Sequence, residues 1–280
     1  MNKNGFTLVE VMVVTGILGF VMVGVVKMSE SFFEGLEKPN VKALFCTLED
    51  FDKNSSHPSS SLKTLIPCEN PKGAFFTLNE SIYNENHLIP SYIHPTASIH
   101  PLAFIDELGV EVREGAKIGP FVSIYRGTII GKNVKIESGS TIGSSAHMLY
   151  RSADGQTLNA IHQGSVFISD EVEVGSNSVI SKSLFSWDST FIGKFTKIGS
   201  MCNISHGVSI GRRNHIASSV DISGYTQIGN TCWLGPGSKL SNSLKIGSDA
   251  FITLGSVVLI DLEANSKFVM GKVFKERKMF

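Results

Sequence analysis

Three kinds of side chain could do chemistry in this 280-residue sequence: its eight histidines, its four cysteines and a carboxylate stranded in an apolar run. The cysteines, Cys46, Cys68, Cys202 and Cys232, show neither CxxC spacing nor histidine neighbours at metal-ligand spacing. They read as free, partly buried thiols of a reducing compartment, and no metal site is expected. A Cys46–Cys68 disulfide stays open if that part of the chain faces an oxidising space. His57 and His87 lie in polar loops and read as surface residues. His206 stands in Ile204-Ser205-His206-Gly207-Val208-Ser209-Ile210-Gly211, and His162 in Ile161-His162-Gln163-Gly164. A lone histidine on a turn is ordinarily a solvated surface residue, so these two gain meaning only from what surrounds them. The carboxylate is Glu10, the one charge between Phe6 and Val26. A carboxylate in such a run needs a partner or a function.

A six-residue period positions the histidines. Ile93, Ile99 and Ile105 are six apart; after a slip of one residue, Val112, Ile118, Ile124, Ile130, Ile136 and Ile142 continue it. An insertion occupies residues 143–165, and the register resumes at Ile168, Val174 and Ile180. Ser186 breaks the residue type but not the count, and twelve positions from Ile192 to Val258 then stay in step. Such repetition decides the fold before any other feature. Each hexad supplies a short strand with its aliphatic residue inward, three hexads close a triangular coil, and coils stack on each other's apolar surfaces. Glycine after the aliphatic position, as at Ile192-Gly193 and Ile198-Gly199, permits turns and close approach. The fold expected is mainly β: a left-handed parallel β-helix over residues 91–262, with a tail at 263–280. His206, two residues past the inward Ile204, should lie outside the tube.

Two segments precede the repeat. Residues 1–40 contain an apolar run over 6–26, 21 residues long, which is enough for a membrane helix at about 1.5 Å per residue. An amphipathic continuation to about Leu36 ends before Pro39. Residues 41–90 read as a small α/β piece: a strand near 41–46, a loop at 54–61, a strand near 62–68, and a helix opened by Asn70-Pro71. Lys and Arg together equal Asp and Glu at 25 each, so no basic field invites nucleic acid.

Two family resemblances follow from these residues. Gly5-Phe6-Thr7-Leu8-Val9-Glu10 resembles the leader of type IV prepilins. That resemblance implies cleavage after Gly5, methylation of the new N-terminal Phe6, and a filament-assembly role for Glu10. Asn70 to Leu78 (NPKGAFFTL), Ile93 to Ile105 (IHPTASIHPLAFI), Asp170 to Ile180 (DEVEVGSNSVI) and above all Ile204 to Gly211 (ISHGVSIG) resemble UDP-3-O-acylglucosamine N-acyltransferases. These enzymes make the third acyl transfer of lipid A synthesis. The likeness runs from about Val41 to Gly271, with the first half of the uridine-binding domain replaced by the apolar run. It implies a homotrimer with no bound cofactor, which takes an acyl chain from acyl carrier protein onto the 2-amine of a UDP-linked glucosamine. His206 would be the base, in reach of a groove between subunits, with His162, Gln163 and Asn203 touching substrate. A neutral imidazole suits that proton transfer near pH 7.

The sequence departs from the family at several places. Ser181-Lys182-Ser183 replaces an Arg-Gly pair, Ser218-Ser219 a glycine pair whose N–H groups would lie near the carbonyl, Ser243 a second histidine, and Ala146-His147-Met148 a Gly-Phe-rich loop. Trp187, Asp188 and Asp221 are read as structural. Three functions compete: a membrane-tethered N-acyltransferase of the bacterial inner membrane, a pilin-like protein with a non-enzymatic trimeric head, and a sugar acyltransferase that uses coenzyme A thioesters. Topology separates the first two. Acyl carrier protein and UDP-sugars are cytoplasmic, whereas prepilins place the C-terminal domain outside, and the lysines flanking the run do not decide orientation. The enzyme reading is preferred because its resemblance spans far more of the chain.

Overall fold

The computed structural model describes residues 10–16, 19–25, 43–46, 48–49, 52, 64–82, 89–152 and 154–275. Gly5, Phe6, His57, His87, the loop at 54–61 and the amphipathic stretch after Val26 lie outside the described residues. The chain forms two compact units, Met1–Asn84 with His147–Ala160, and Glu85–Ala146 with Ile161–Phe280.

In the first unit, β1 (Glu10–Gly16) and β2 (Gly19–Val25) pair antiparallel, with Val14 opposite Val21. This corrects the expected membrane helix. The run is rich in β-branched valine (Val11, Val13, Val14, Val21, Val23, Val25), and glycines 16 and 19 punctuate it, so pairing satisfies its backbone as well as coiling would. No helix among the described residues is long and apolar enough to cross a membrane. β2 continues in parallel to β3 (Ala43–Cys46) and β4 (Thr64–Pro67), as two short strands were expected to do there. Helix α1 (Pro71–Ile82) begins where Asn70-Pro71 predicts. Asn70 Oδ1 accepts the Gly73 N–H at 2.9 Å as an N-cap, and proline at the first helical position gives up no useful donor. The inserted segment forms a hairpin, Leu149–Arg151 with Thr157–Asn159, and Tyr150 packs its ring 5.1 Å from that of Phe76. The Lys72 ammonium donates to the Leu149 carbonyl at 3.1 Å. None of the four cysteines is in a disulfide, so Cys46 and Cys68 are not bridged.

The second unit is the expected parallel β-helix. Its short strands stack into three sheets of eight, ten and eight strands. The first sheet runs from Tyr92–Ile93 to Lys245–Ile246, the second starts at Ser98–Ile99 and the third at Phe104–Ile105. Partners lie three hexads apart, as in Ile192 with Ile210 and Ile210 with Ile228. The inward aliphatic positions form one continuous buried column. A second inward column, two residues earlier in each hexad, was not anticipated: Cys202, Val208, Asn214, Val220, Thr226 and Cys232 are all buried. Asn214 is satisfied there, donating to the Gly211 and Gly229 carbonyls and accepting from the Cys232 N–H at 2.7 Å. The Lys272–Lys275 strand pairs back on Ser266–Val269 and ends the second sheet.

Apart from Gly143, at φ 80°, the glycines after the aliphatic position serve close approach alone. A Cβ on Gly193 would stand 2.5 Å from the backbone of Gly211 in the next coil. The left-handed backbone falls two residues later, at thirteen of the fourteen described non-glycine residues with positive φ, Ser219 and Ser243 among them.

The pairing also shows where six fails. Ile93 pairs with Val112, one residue beyond three hexads, and Ile130 with Ile168, twenty beyond. Ile168 pairs with Ile192, which leaves six extra residues between Ile180 and the next strand. The hexad around Ser186 is therefore a loop, not a strand, and the β-helix has a second insertion that the unbroken count concealed. Ile246 bridges to Leu262, two residues short of three hexads. All four departures sit at the corner between the third sheet and the first.

Candidate functional site

His206 occupies that same corner, one coil on, between the strands Asn203–Ile204 and Ser209–Ile210. It lies outside the aliphatic column, as expected, but only 7% of it is exposed. Gly207 follows in the left-handed conformation, at φ 66°. Its N–H donates to Thr190 Oγ1 at 2.9 Å, and that fully buried hydroxyl donates onward to the Ser181 carbonyl at 2.7 Å. The backbone carrying the imidazole is thus tied to the coil before it. The coil after it leaves room for the ring: a Cβ on Gly224 would stand 2.6 Å from His206 Nε2. Tyr225 closes one side with its ring centroid 5.3 Å away, and His162 packs edge-on at 5.4 Å. Ser205 Oγ lies 3.2 Å from Nδ1 and can serve either tautomer.

The six-residue insertion covers this corner. Its Asp188 carboxylate is held at both oxygens, by Ser183 Oγ at 2.7 Å and the Ser189 N–H at 2.8 Å. Gln163 and Gly164 donate their N–H groups to the Leu184 and Ser183 carbonyls, and Ser165 to that of Asp188. A Cβ on Gly164 would lie within 2.8 Å of three of these loop carbonyls, so the two segments can meet only at a glycine. Phe185 and Trp187 stack at 5.2 Å with planes 7° apart, the first buried and the second 41% exposed.

Burial pushes the His206 imidazole below its usual range, and the negative charge of Asp188 pulls it part of the way back. The net effect keeps the ring neutral at pH 7. A buried, neutral, oriented imidazole at a covered corner can accept a proton from a nucleophile.

The structure brings His162 and Gln163 to His206. Asn203 points outward from its strand, donating to Asp221 Oδ1 at 2.9 Å, and Asp221 also meets Lys239 at 3.5 Å. These contacts form a cross-strand ladder, and no hydrogen bond among the described residues joins Asn203 to the imidazole. Ser218 and Ser219 stand at a different corner, and the Ser219 N–H is used in the ladder to the Ser200 carbonyl. Ser243 is at the His206 corner, donating its N–H to the Gly224 carbonyl in the coil between them. The side chain of Glu10 is outside the described residues, as are Gly5 and Phe6. No cluster among the described residues could hold a metal ion. Asp188, Gly224 and Tyr225 were missed as site residues. Closure at three hexads would have found them, since 188 and 224 are each eighteen residues from 206.

Comparison with known proteins bears on the fold and on the N-terminus. Residues 109–144 match the bacterial transferase hexapeptide (six repeats) family, and residues 1–26 match the prokaryotic N-terminal methylation motif. The chain is 30% identical over 185 residues to UDP-3-O-acylglucosamine N-acyltransferase 1 of Legionella pneumophila (strain Paris), covering 53% of this chain and 49% of the relative. It is 41% identical over 54 residues to the UDP-3-O-acylglucosamine N-acyltransferase of Maricaulis maris (strain MCS10), covering 19% and 15%. The chain thus spans about half the length of the first of these relatives. In fold it resembles the crystal structure of Francisella novicida UDP-N-acetylglucosamine acyltransferase, with a TM-score of 0.53, 20% identity and coverage of 65% and 68%. The hexapeptide β-helix and the methylation-type N-terminus are therefore both present in one chain.

Proposed function

We propose that this protein is a membrane-associated acyltransferase that moves an acyl chain from an acyl carrier protein thioester to the 2-amine of a UDP-linked glucosamine. The observation that carries this reading is His206, buried and oriented at a corner where the rings of His162 and Tyr225 pack against it. The amine nitrogen attacks the thioester carbonyl carbon while His206 takes the proton it sheds. Collapse of the tetrahedral intermediate breaks the C–S bond, and the imidazolium returns its proton to the departing thiolate. The relatives named for transfer to UDP-3-O-acylglucosamine support the acceptor class. Three copies would assemble around the β-helix, and the site would face the cytoplasm, where acyl carrier protein and nucleotide sugars are found. The N-terminal methylation motif supports the membrane association.

The test is turnover by the full-length protein. Acyl carrier protein thioesters should acylate UDP-glucosamine or its 3-O-acylated form, and His206→Ala should lower kcat by about 10²-fold or more. Turnover with coenzyme A thioesters alone would instead select the donor of the alternative reading. The methylation motif favours one other possibility, a non-enzymatic head on a pilin-like leader. A reporter fused after Phe280 that reads external, with an N-terminus beginning at Phe6 and no turnover, would replace the enzyme with that scaffold.

A further inference from the structure

Trp187 is the one large aromatic side chain that the loop over His206 turns outward. Phe185 stacks near-parallel on its indole, and 41% of Trp187 is exposed. The indole N–H makes no hydrogen bond to any described residue. The loop beneath is stiff: Ser183 Oγ and the Ser189 N–H hold Asp188, the Asp188 N–H donates to the Phe185 carbonyl at 3.0 Å, and three N–H groups from residues 163–165 pin its carbonyls. The loop meets the His206 corner through Gln163, which donates its N–H to the Leu184 carbonyl and follows His162, whose ring packs 5.4 Å from that of His206. A flat, partly exposed aromatic ring with a donor at its edge, pre-ordered on a loop that meets the corner of a base, suits a ring that is apolar on one face and hydroxylated at its rim.

We propose that Trp187 is the platform on which the pyranose ring of the sugar acceptor lies, presenting its amine to His206. This rests on the sugar-acyltransferase reading. The pyranose is favoured over the nucleobase because it carries the reacting amine and so must come closest to the imidazole. It is favoured over the acyl chain because hydrocarbon has no use for the free indole N–H.

The chain has two tryptophans, and Trp233 lies on an outer ladder between His215 and Phe251. In full-length Trp233→Phe protein, Trp187 is therefore the sole indole. Its fluorescence should change saturably with UDP-glucosamine and not with UDP or a decanoyl coenzyme A thioester. Trp187→Ala should raise the KM for UDP-glucosamine about tenfold with a smaller effect on kcat, and Trp187→Phe should restore most of the loss. An equal response to UDP would make Trp187 a base platform, and a response to the thioester alone an acyl platform; either overturns the proposal. UDP-glucosamine that binds by calorimetry while Trp187 stays silent refutes this inference but leaves the enzyme reading. No binding by calorimetry removes both.

Discussion

The slot at Gly224 permits a perturbation whose effect can be worked from distances. Gly224 is not in a left-handed conformation, so Gly224→Ala adds a methyl group without backbone strain. That methyl would stand 2.6 Å from His206 Nε2, 2.9 Å from Cε1 and 3.0 Å from Cδ2. Favourable contact needs about 3.5 Å, so the ring or the coil must yield by roughly 1 Å. The ring has little freedom, with Tyr225 and His162 at 5.3 and 5.4 Å between centroids. Overpacking of this kind costs about 1–3 kcal/mol, and misplacing a catalytic group by about 1 Å costs about 10²-fold in rate. Gly224→Ala should therefore fold with a modest loss of stability while kcat falls by about 10²-fold. Urea unfolding and steady-state kinetics measure the two, and the His206 Cε1–H resonance reports the ring's displacement without relying on turnover. If kcat and that resonance both match the unsubstituted protein, the slot does not hold the imidazole and the assignment of His206 fails.

Three further outcomes follow from the same geometry. Because burial holds His206 below its unfolded value near 6.5, the unfolded chain binds a proton first as pH falls. Its contribution to stability is complete above about pH 6.5 and is lost as pH drops from there toward the folded pKa; urea midpoints of the protein and of His206→Gln should converge over that window, and parallel curves would contradict it. Asp188→Asn removes the charge that raises the His206 pKa, so the acid limb of kcat/KM and the His206 titration should both move to lower pH; a shift upward would show that the charge acts elsewhere. Gly193→Ala, whose Cβ would stand 2.5 Å from stacked backbone, should cost about 3 kcal/mol or more. Gly237→Ala, with open space but φ 67°, should cost about 1 kcal/mol by chemical denaturation, and the reverse order would refute the division between close approach and left-handed turn.

The tube was legible because each coil repeats one visible choice, an aliphatic residue every sixth position, and a slip would empty the buried column. The second inward column was harder to see. Its members range from valine to asparagine, threonine and cysteine, since a corner interior accepts any small side chain whose polar atom finds a carbonyl or N–H. The loop around Ser186 was hidden for an arithmetical reason: six extra residues preserve a six-residue count, and only a serine in an aliphatic place betrayed it. His206 was legible through its flanking Ile204-Ser205 and Gly207-Val208. Its burial was not, because Asp188, Tyr225 and the glycine slot come from neighbouring coils. The apolar leader was read as a helix on length and hydropathy; the structure pairs it as strands, where valine and glycine outweigh length.

A regular hexapeptide β-helix has no reason to bury a histidine at a corner, because corner side chains project into water and neighbouring coils are alike. Here one corner carries every irregularity: the slip before Val112, the shortening after Val258, the insertion that contains His162, and the loop from Lys182 to Asp188. The last two flank the imidazole, one supplying a ring against it and the other a charge near it. Together they change a solvated histidine into a buried one that is neutral at pH 7. On this argument the repeat supplies rigidity and the failures of the repeat supply the chemistry. Substitutions that loosen the 182–188 loop should raise the His206 pKa toward 6.5 even where the tube is untouched, whereas substitutions in the inward column should lower stability and leave that pKa in place.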